Sequence, residues 1–122
     1  MGLELVKIVI NPTGGTGVSS GGDYGAAVAG WVDEIYLDYG MTSAVTNVTI
    51  IEEGRSVPIL AVSNNQTDGA YYPRKATVNP VNVTFGSDGA VSVPIVSRLY
   101  ASMTGGNNAT PGLTVYAKIR TV

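Results

Sequence analysis

Apolar and polar side chains alternate in short runs along most of the chain, which is the period of strands with one face buried. The cleanest run closes the sequence. There Leu113, Val115, Ala117 and Ile119 share one parity, and Thr114, Tyr116, Lys118 and Arg120 share the other. From Trp31 onward, Trp31, Ile35, Leu37 and Tyr39 take one side and Glu34, Tyr36 and Asp38 the opposite one. Asp33 falls on the apolar parity and is the one exception. Further strands are predicted over residues 3–10, 46–52, 57–62, 71–79, 81–85, 90–96 and 98–103. Pro73 holds its strand to an edge or a bend, and Pro94 marks a kink or bulge. Residues 52–55 join two strands as a hairpin, residues 63–70 read as a polar loop, and residues 86–89 as a turn. Residues 105–112 read as a second loop. A short helical turn over residues 23–31 is weakened by Gly25 and Gly30.

Eight or nine short strands spaced near ten residues predict an all-β fold, an antiparallel β-sandwich. Sandwiches of this strand count are often jelly rolls. Between Asn11 and Gly25 stand six glycines with serine and threonine and almost no apolar bulk. Such a stretch reads as a flexible Gly-rich arm. The expected organisation is therefore an N-terminal strand and Gly/Ser/Thr-rich arm over residues 1–25, and a β-sandwich domain over residues 26–122. Set apart in this way, the first strand belongs at a sheet edge or against another subunit.

Composition narrows the chemistry. The 122 residues hold no cysteine and no histidine, so disulfide frameworks, Cys/His zinc sites, thiol nucleophiles and histidine triads are all excluded. Charged residues are 13% of the chain, about half the usual ~25%. The 44% hydrophobic content points to a folded domain. A net charge of −2 offers no field for nucleic acid or anionic lipid. No apolar run is long enough for a spanning helix, and Glu4 and Lys7 interrupt the first ten residues where a signal peptide needs an unbroken apolar stretch. The Asn-x-Thr sequons at Asn47, Asn65, Asn82 and Asn108 are read as a by-product of an Asn- and Thr-rich β composition.

Phosphate-binding motifs fail on inspection. No Gly-Lys-Ser/Thr follows the glycines, as a Walker loop requires. The run Gly15-Thr16-Gly17-Val18-Ser19-Ser20 ends in serine and opens no helix. Asn11-Pro12-Thr13-Gly14-Gly15 is similar to a turn of diacylglycerol-kinase-type lipid kinases, but Gly21-Gly22-Asp23-Tyr24 has tyrosine where their second motif has glycine. Among the carboxylates, Asp33 and Glu34 point to opposite faces of a strand, while Glu52 and Glu53 are read as solvated turn residues. Asp68 and Asp88 are isolated turn formers, too few for calcium. No catalytic residue, cofactor site or metal site is assigned.

Tyr71-Tyr72-Pro73-Arg74-Lys75 is the most distinctive local cluster. Aromatic and arginine side chains are enriched at protein interfaces, and two aromatics beside two cations also suit stacking on sugars or bases. The plain structural reading puts one tyrosine in the core and one at the surface. Trp31, Tyr71, Tyr72, Arg74 and Lys75 are the candidate interface residues. Three segments then occur in order: Gly30 through Tyr39, Asp68 through Thr77, and Leu113 through Ile119. In this the chain resembles the small cement (decoration) proteins of tailed bacteriophage heads, over most of residues 26–122. Tyr72, Pro73 and Arg74 match a recurring Tyr-Pro-Arg landmark of such proteins. The resemblance implies a jelly-roll or similar sandwich on the outside of an assembled shell. It would bridge major capsid subunits without catalysis, as a dimer by preference or as a trimer. A phage neck or tail component and a carbohydrate-binding module using Trp31, Tyr71 or Tyr72 are the rival expectations.

Overall fold

The unbroken alternation of the last strand gives it two usable edges and one fully apolar side, and it becomes the centre of the larger sheet. The computed structural model describes residues 2–14, 19–40, 45–76, 90–106 and 112–121. Its strands are β1 (Gly2–Ile10), β2 (Ser19–Tyr24), β3 (Gly30–Asp38), β4 (Thr46–Glu52), β5 (Leu60–Asn65), β6 (Gly69–Tyr71), β7 (Arg74–Ala76), β8 (Ala90–Ile95), β9 (Leu99–Gly106) and β10 (Leu113–Thr121). A six-stranded sheet takes the order β1-β10-β3-β8-β7, with β6 also paired to β3, and a four-stranded sheet takes the order β2-β9-β4-β5. Every strand pairing is antiparallel. The described chain contains no helix, and the two sheets pack face to face as an all-β antiparallel β-sandwich.

The core is the sum of the inward parities. Val6, Ile8 and Ile10 from β1 and Leu113, Val115, Ala117 and Ile119 from β10 meet Val48 and Ile50 from β4 and Leu99, Ala101 and Met103 from β9. All four β10 residues are as fully buried as the alternation predicts. Each large aliphatic here contributes about 1.5–3 kcal/mol by leaving water. At Gly25 a Cβ would run into Val6 and Ile8, so only glycine lets the chain pass this close to β1.

β3 departs from simple alternation, and its pairing with β10 says why. Lys118 pairs with Glu34 and Ile119 with Val32, which leaves Asp33 without a partner on β10. This is a β-bulge: one extra residue shifts every side chain beyond it to the other face. Val32 is therefore fully buried, and Trp31 is 37% exposed on the outer face. The inward parity expected for Trp31 is corrected accordingly.

Other expectations shift for local reasons. The strand expected over residues 57–62 begins at Leu60 and continues to Asn65, into the segment read as a loop. Pro58 has no N–H to donate, and pairing starts where Ile59 N–H donates to the Ile50 carbonyl at 2.8 Å. Pro94 causes no bulge: Gly30, Trp31 and Val32 pair in continuous register with Ile95, Pro94 and Val93. It lies past the end of β7, where one side of β8 is unpaired. The flexible arm is corrected at residues 19–24, which form β2 and pair with β9. Thr13 and Ser20 also exchange backbone hydrogen bonds of 3.0 and 2.9 Å. β1 takes the edge position expected of it, pairing with β10 along its whole length at the end of the larger sheet. The strand expected over residues 81–85, the turn over 86–89 and the sequons at Asn82 and Asn108 lie outside the described residues.

The core and the rim should separate cleanly under mutation. Ile35→Ala is expected to lose about 2–5 kcal/mol in a denaturant titration, while Val57→Ala, at a side chain 75% exposed, should stay within about 0.5 kcal/mol of the parent.

Candidate protein interface

Register places the outward residues of the larger sheet in rows. Leu3, Arg120, Trp31 and Pro94 lie side by side across β1, β10, β3 and β8. The next row is Leu5, Lys118 and Glu34, and the one after is Lys7, Tyr116, Tyr36 and Ala70. The last row is Val9, Thr114 and Asp38, in which Thr114, expected on the outer side, is buried at 7% exposure. Leu3 and Leu5 are 66% and 60% exposed, and Val9, Trp31 and Tyr36 each 37%. A sheet face with this much apolar and aromatic surface is suited to contact.

The cations of this face are already engaged. The Arg120 guanidinium sits 5.4 Å from the Trp31 ring centre, and its Nε lies 3.5 Å from Asp33 Oδ2, an ion pair too long for a directed hydrogen bond. Lys118 Nζ is 3.6 Å from Glu34 Oε1. Lys7 Nζ lies 6.0 Å from the Tyr116 ring centre. Isolated surface pairs of this kind add little stability. Their effect here is to leave few lone charges to strip of water when the face is covered.

Four of the five candidate interface residues have described side chains, and they divide. Trp31 is on the outer face. Arg74 reaches the same region by donating from Nη1 to the Asp33 carbonyl at 3.1 Å and to the Pro73 carbonyl at 2.7 Å. Tyr72 is 61% exposed. Tyr71 instead turns inward, half-buried against the core, as the plain reading of the pair allowed. Asn65 Nδ2 donates to both the Tyr39 and Tyr71 hydroxyls at 3.3 Å and to the Thr67 carbonyl at 3.0 Å. Burial pushes the Tyr39 hydroxyl above its ordinary range. Lys75 pairs with Val91 in the ladder, and its side chain lies outside the described residues.

The smaller sheet carries its own aromatic cluster. The Tyr24 and Tyr100 rings are 4.7 Å apart, and Arg98 stacks 3.9 Å from the Tyr24 centre while its Nη2 meets Glu53 Oε2 at 2.7 Å. The Arg98 guanidinium holds the Glu53 carboxyl below the usual carboxylate range.

Glu52, expected in a solvated turn, is 2% exposed. Its Oε2 accepts from Val96 N–H at 2.7 Å, Ser97 N–H at 2.9 Å and the Ser97 hydroxyl at 3.0 Å. Arg55 Nε stands 3.0 Å from Oε1 as an ion pair without a directed N–H. The signal was present in the alternation, since Thr46, Val48, Ile50 and Glu52 share the inward parity of β4. With Arg55, Arg74, Pro58, Ile59 and Val93, Glu52 lines a cleft of about 400 Å³. Among the described residues, no three acidic side chains converge to hold a metal ion.

Glu52 couples stability to acid. Burial alone would raise its carboxyl, but the three hydrogen bonds and Arg55 outweigh that and lower it. A carboxyl lowered on folding stabilises above its unfolded value near ~4.3, and that contribution is lost as pH falls through the lowered value. Glu52→Gln is expected to cost about 1–3 kcal/mol at neutral pH. In urea titrations across pH, the gap from the parent should close below about pH 4.

No family model, no curated protein and no solved structure matches this chain.

Proposed function

We propose that this chain is a non-enzymatic structural protein of a phage virion, a cement protein on the outer capsid surface. It binds the major capsid protein, bridges neighbouring subunits and stabilises the head. In this reading the sandwich is of the jelly-roll kind, the protein is a homo-oligomer, a dimer before a trimer, and assembly takes place in the host cytoplasm. Neither nucleic acid nor membrane is a partner, and no cofactor is involved.

The observation that carries the reading is the outer face of the larger sheet. It exposes Leu3, Leu5, Val9, Trp31 and Tyr36 while Lys118 and Arg120 are paired within it. Covering such a face releases water from apolar surface at a low cost in stripped charge. Repetition over a lattice then multiplies a modest contact into firm attachment. The pattern resemblance over residues 26–122 supports the choice of a capsid as the partner. Of the residues offered for a rival sugar platform, Trp31, Tyr71 or Tyr72, Tyr71 turns inward while Trp31 and Tyr72 stay exposed. A neck or tail component differs in symmetry and copy number.

Added to empty heads assembled from the major capsid protein of the same source, the protein should bind and raise their thermal dissociation point. The double variant Trp31→Ala, Tyr36→Ala should weaken binding by about tenfold or more, with its circular dichroism unchanged. Heads that neither bind the protein nor gain stability would overturn the reading. Hundreds of copies per virion mean shell cement, whereas six or twelve mean the neck or tail.

A further inference from the structure

The strands at the sheet edges, β1, β2, β5, β7 and the three-residue β6 that pairs only with β3 among the described residues, differ in how they are protected. Natural sheets blunt their edges with short strands, bulges, prolines or charges. β7 is three residues long. β2 and β5 both pair to their sheets with register shifts, β5 carries Asn64 at φ 52°, and β2 is built from serine, glycine and aspartate before Tyr24. β1 is the least protected: it is long, unbulged and free of proline, and its one such device is a single pair of opposite charges, Glu4 and Lys7. Its nine residues pair with β10 in unbroken register, contain no proline, and meet no strand on the other side among the described residues. Its outward row is Leu3, Leu5, Lys7 and Val9.

We infer that this edge is a homodimer seam, in which β1 pairs antiparallel with β1 of a second copy about a two-fold axis at Val6 and runs two six-stranded sheets into one. The proposal takes up the homo-oligomer of the reading above but requires no shell.

The sequence of β1 selects the register. Paired strands must share faces, so a two-fold axis falls on a residue and sets that residue against itself. An axis at Glu4 or Lys7 opposes like charges, which is destabilising. An axis at Leu5 leaves Val9 and Ile10 unpaired within the strand. Only the axis at Val6 pairs all nine residues from Gly2 to Ile10. It sets Leu3 against the partner's Val9 and Leu5 against the partner's Lys7, whose aliphatic stem covers apolar surface while its head stays in water. Glu4 faces the partner's Ile8 from an open cleft that it lines with Val28, Trp31 and Val96, where its carboxylate keeps solvent. The strand packed beside β1 in the other sheet offers little bulk, with Gly21 lying against Ile10.

The absence of cysteine makes the register directly testable. Directly opposite Cβ atoms in such a pair stand about 4.5–5.5 Å apart, near disulfide reach. Leu3→Cys and Val9→Cys both alter exposed positions. Mixed and oxidised, the two single variants should give a covalent dimer containing one of each, while either alone stays uncrosslinked. In sedimentation, the parent should be a dimer and Leu5→Lys a monomer with unchanged circular dichroism. A parent that remains monomeric at millimolar concentration, or crosslinking that is equal in unmixed samples, would overturn the seam. Dimers that fail to bind heads would sink only the cement reading, and monomers that bind heads would sink only the seam.

Discussion

The arrangement of the larger sheet turns on one unpaired residue. Asp33 is the extra residue of β3, and around it the side chains change faces: Val32 joins Ile35 and Leu37 in the core, and Trp31 emerges on the surface. Asp33 also gathers its neighbours. Its Oδ1 accepts from the Ser92 hydroxyl at 2.8 Å, its Oδ2 pairs with Arg120, and its carbonyl accepts from Arg74. Strands β7, β8 and β10 thus converge on one bulge. Here too the second edge of β3 passes from β8, paired through Val32, to β6, paired from Ile35. A bulge bends its strand and increases local twist, which suits an edge shared between two partners.

Much of this was legible in the order of residues. The alternation of residues 113–121 and 46–52 named those strands and their buried faces, because one apolar row determines both. Absence of helix among the described residues followed from the same period. What escaped depends on pairing partners, which local pattern does not contain. Asp33 was visible as a break in parity, yet whether the break meant a tolerated polar side chain or a bulge was settled by the register with β10. Glu52 looked like a turn residue because Glu53 and Gly54 follow it, although its parity already pointed inward. Ser19 to Tyr24 carries almost no apolar signal, and it becomes a strand because β9 offers an edge. Of the interface candidates, Trp31, Tyr72 and Arg74 reach the surface, while the Asn65 amide holds Tyr71 inside.

The outer face and the edge describe complementary modes of contact. The face combines exposed aliphatic and aromatic side chains with cations that already have partners, so it favours burial against another protein surface. The β1 edge offers backbone groups and a self-matching row of side chains, so it favours a copy of itself. The two need not compete, since an edge-paired dimer leaves Trp31 and Tyr36 on a doubled sheet. The proposed dimer would present the same face twice about a two-fold axis, a geometry suited to spanning two neighbouring subunits.

The central claim is that the outer face of the larger sheet is the contact surface, and the single tryptophan reports on it directly. Acrylamide quenching of Trp31 fluorescence, compared between free protein and protein bound to heads, is the decisive measurement. Ready quenching is expected in the free protein and marked protection on the shell. Quenching that is unchanged by binding, or a tryptophan already shielded in the free protein, would contradict it.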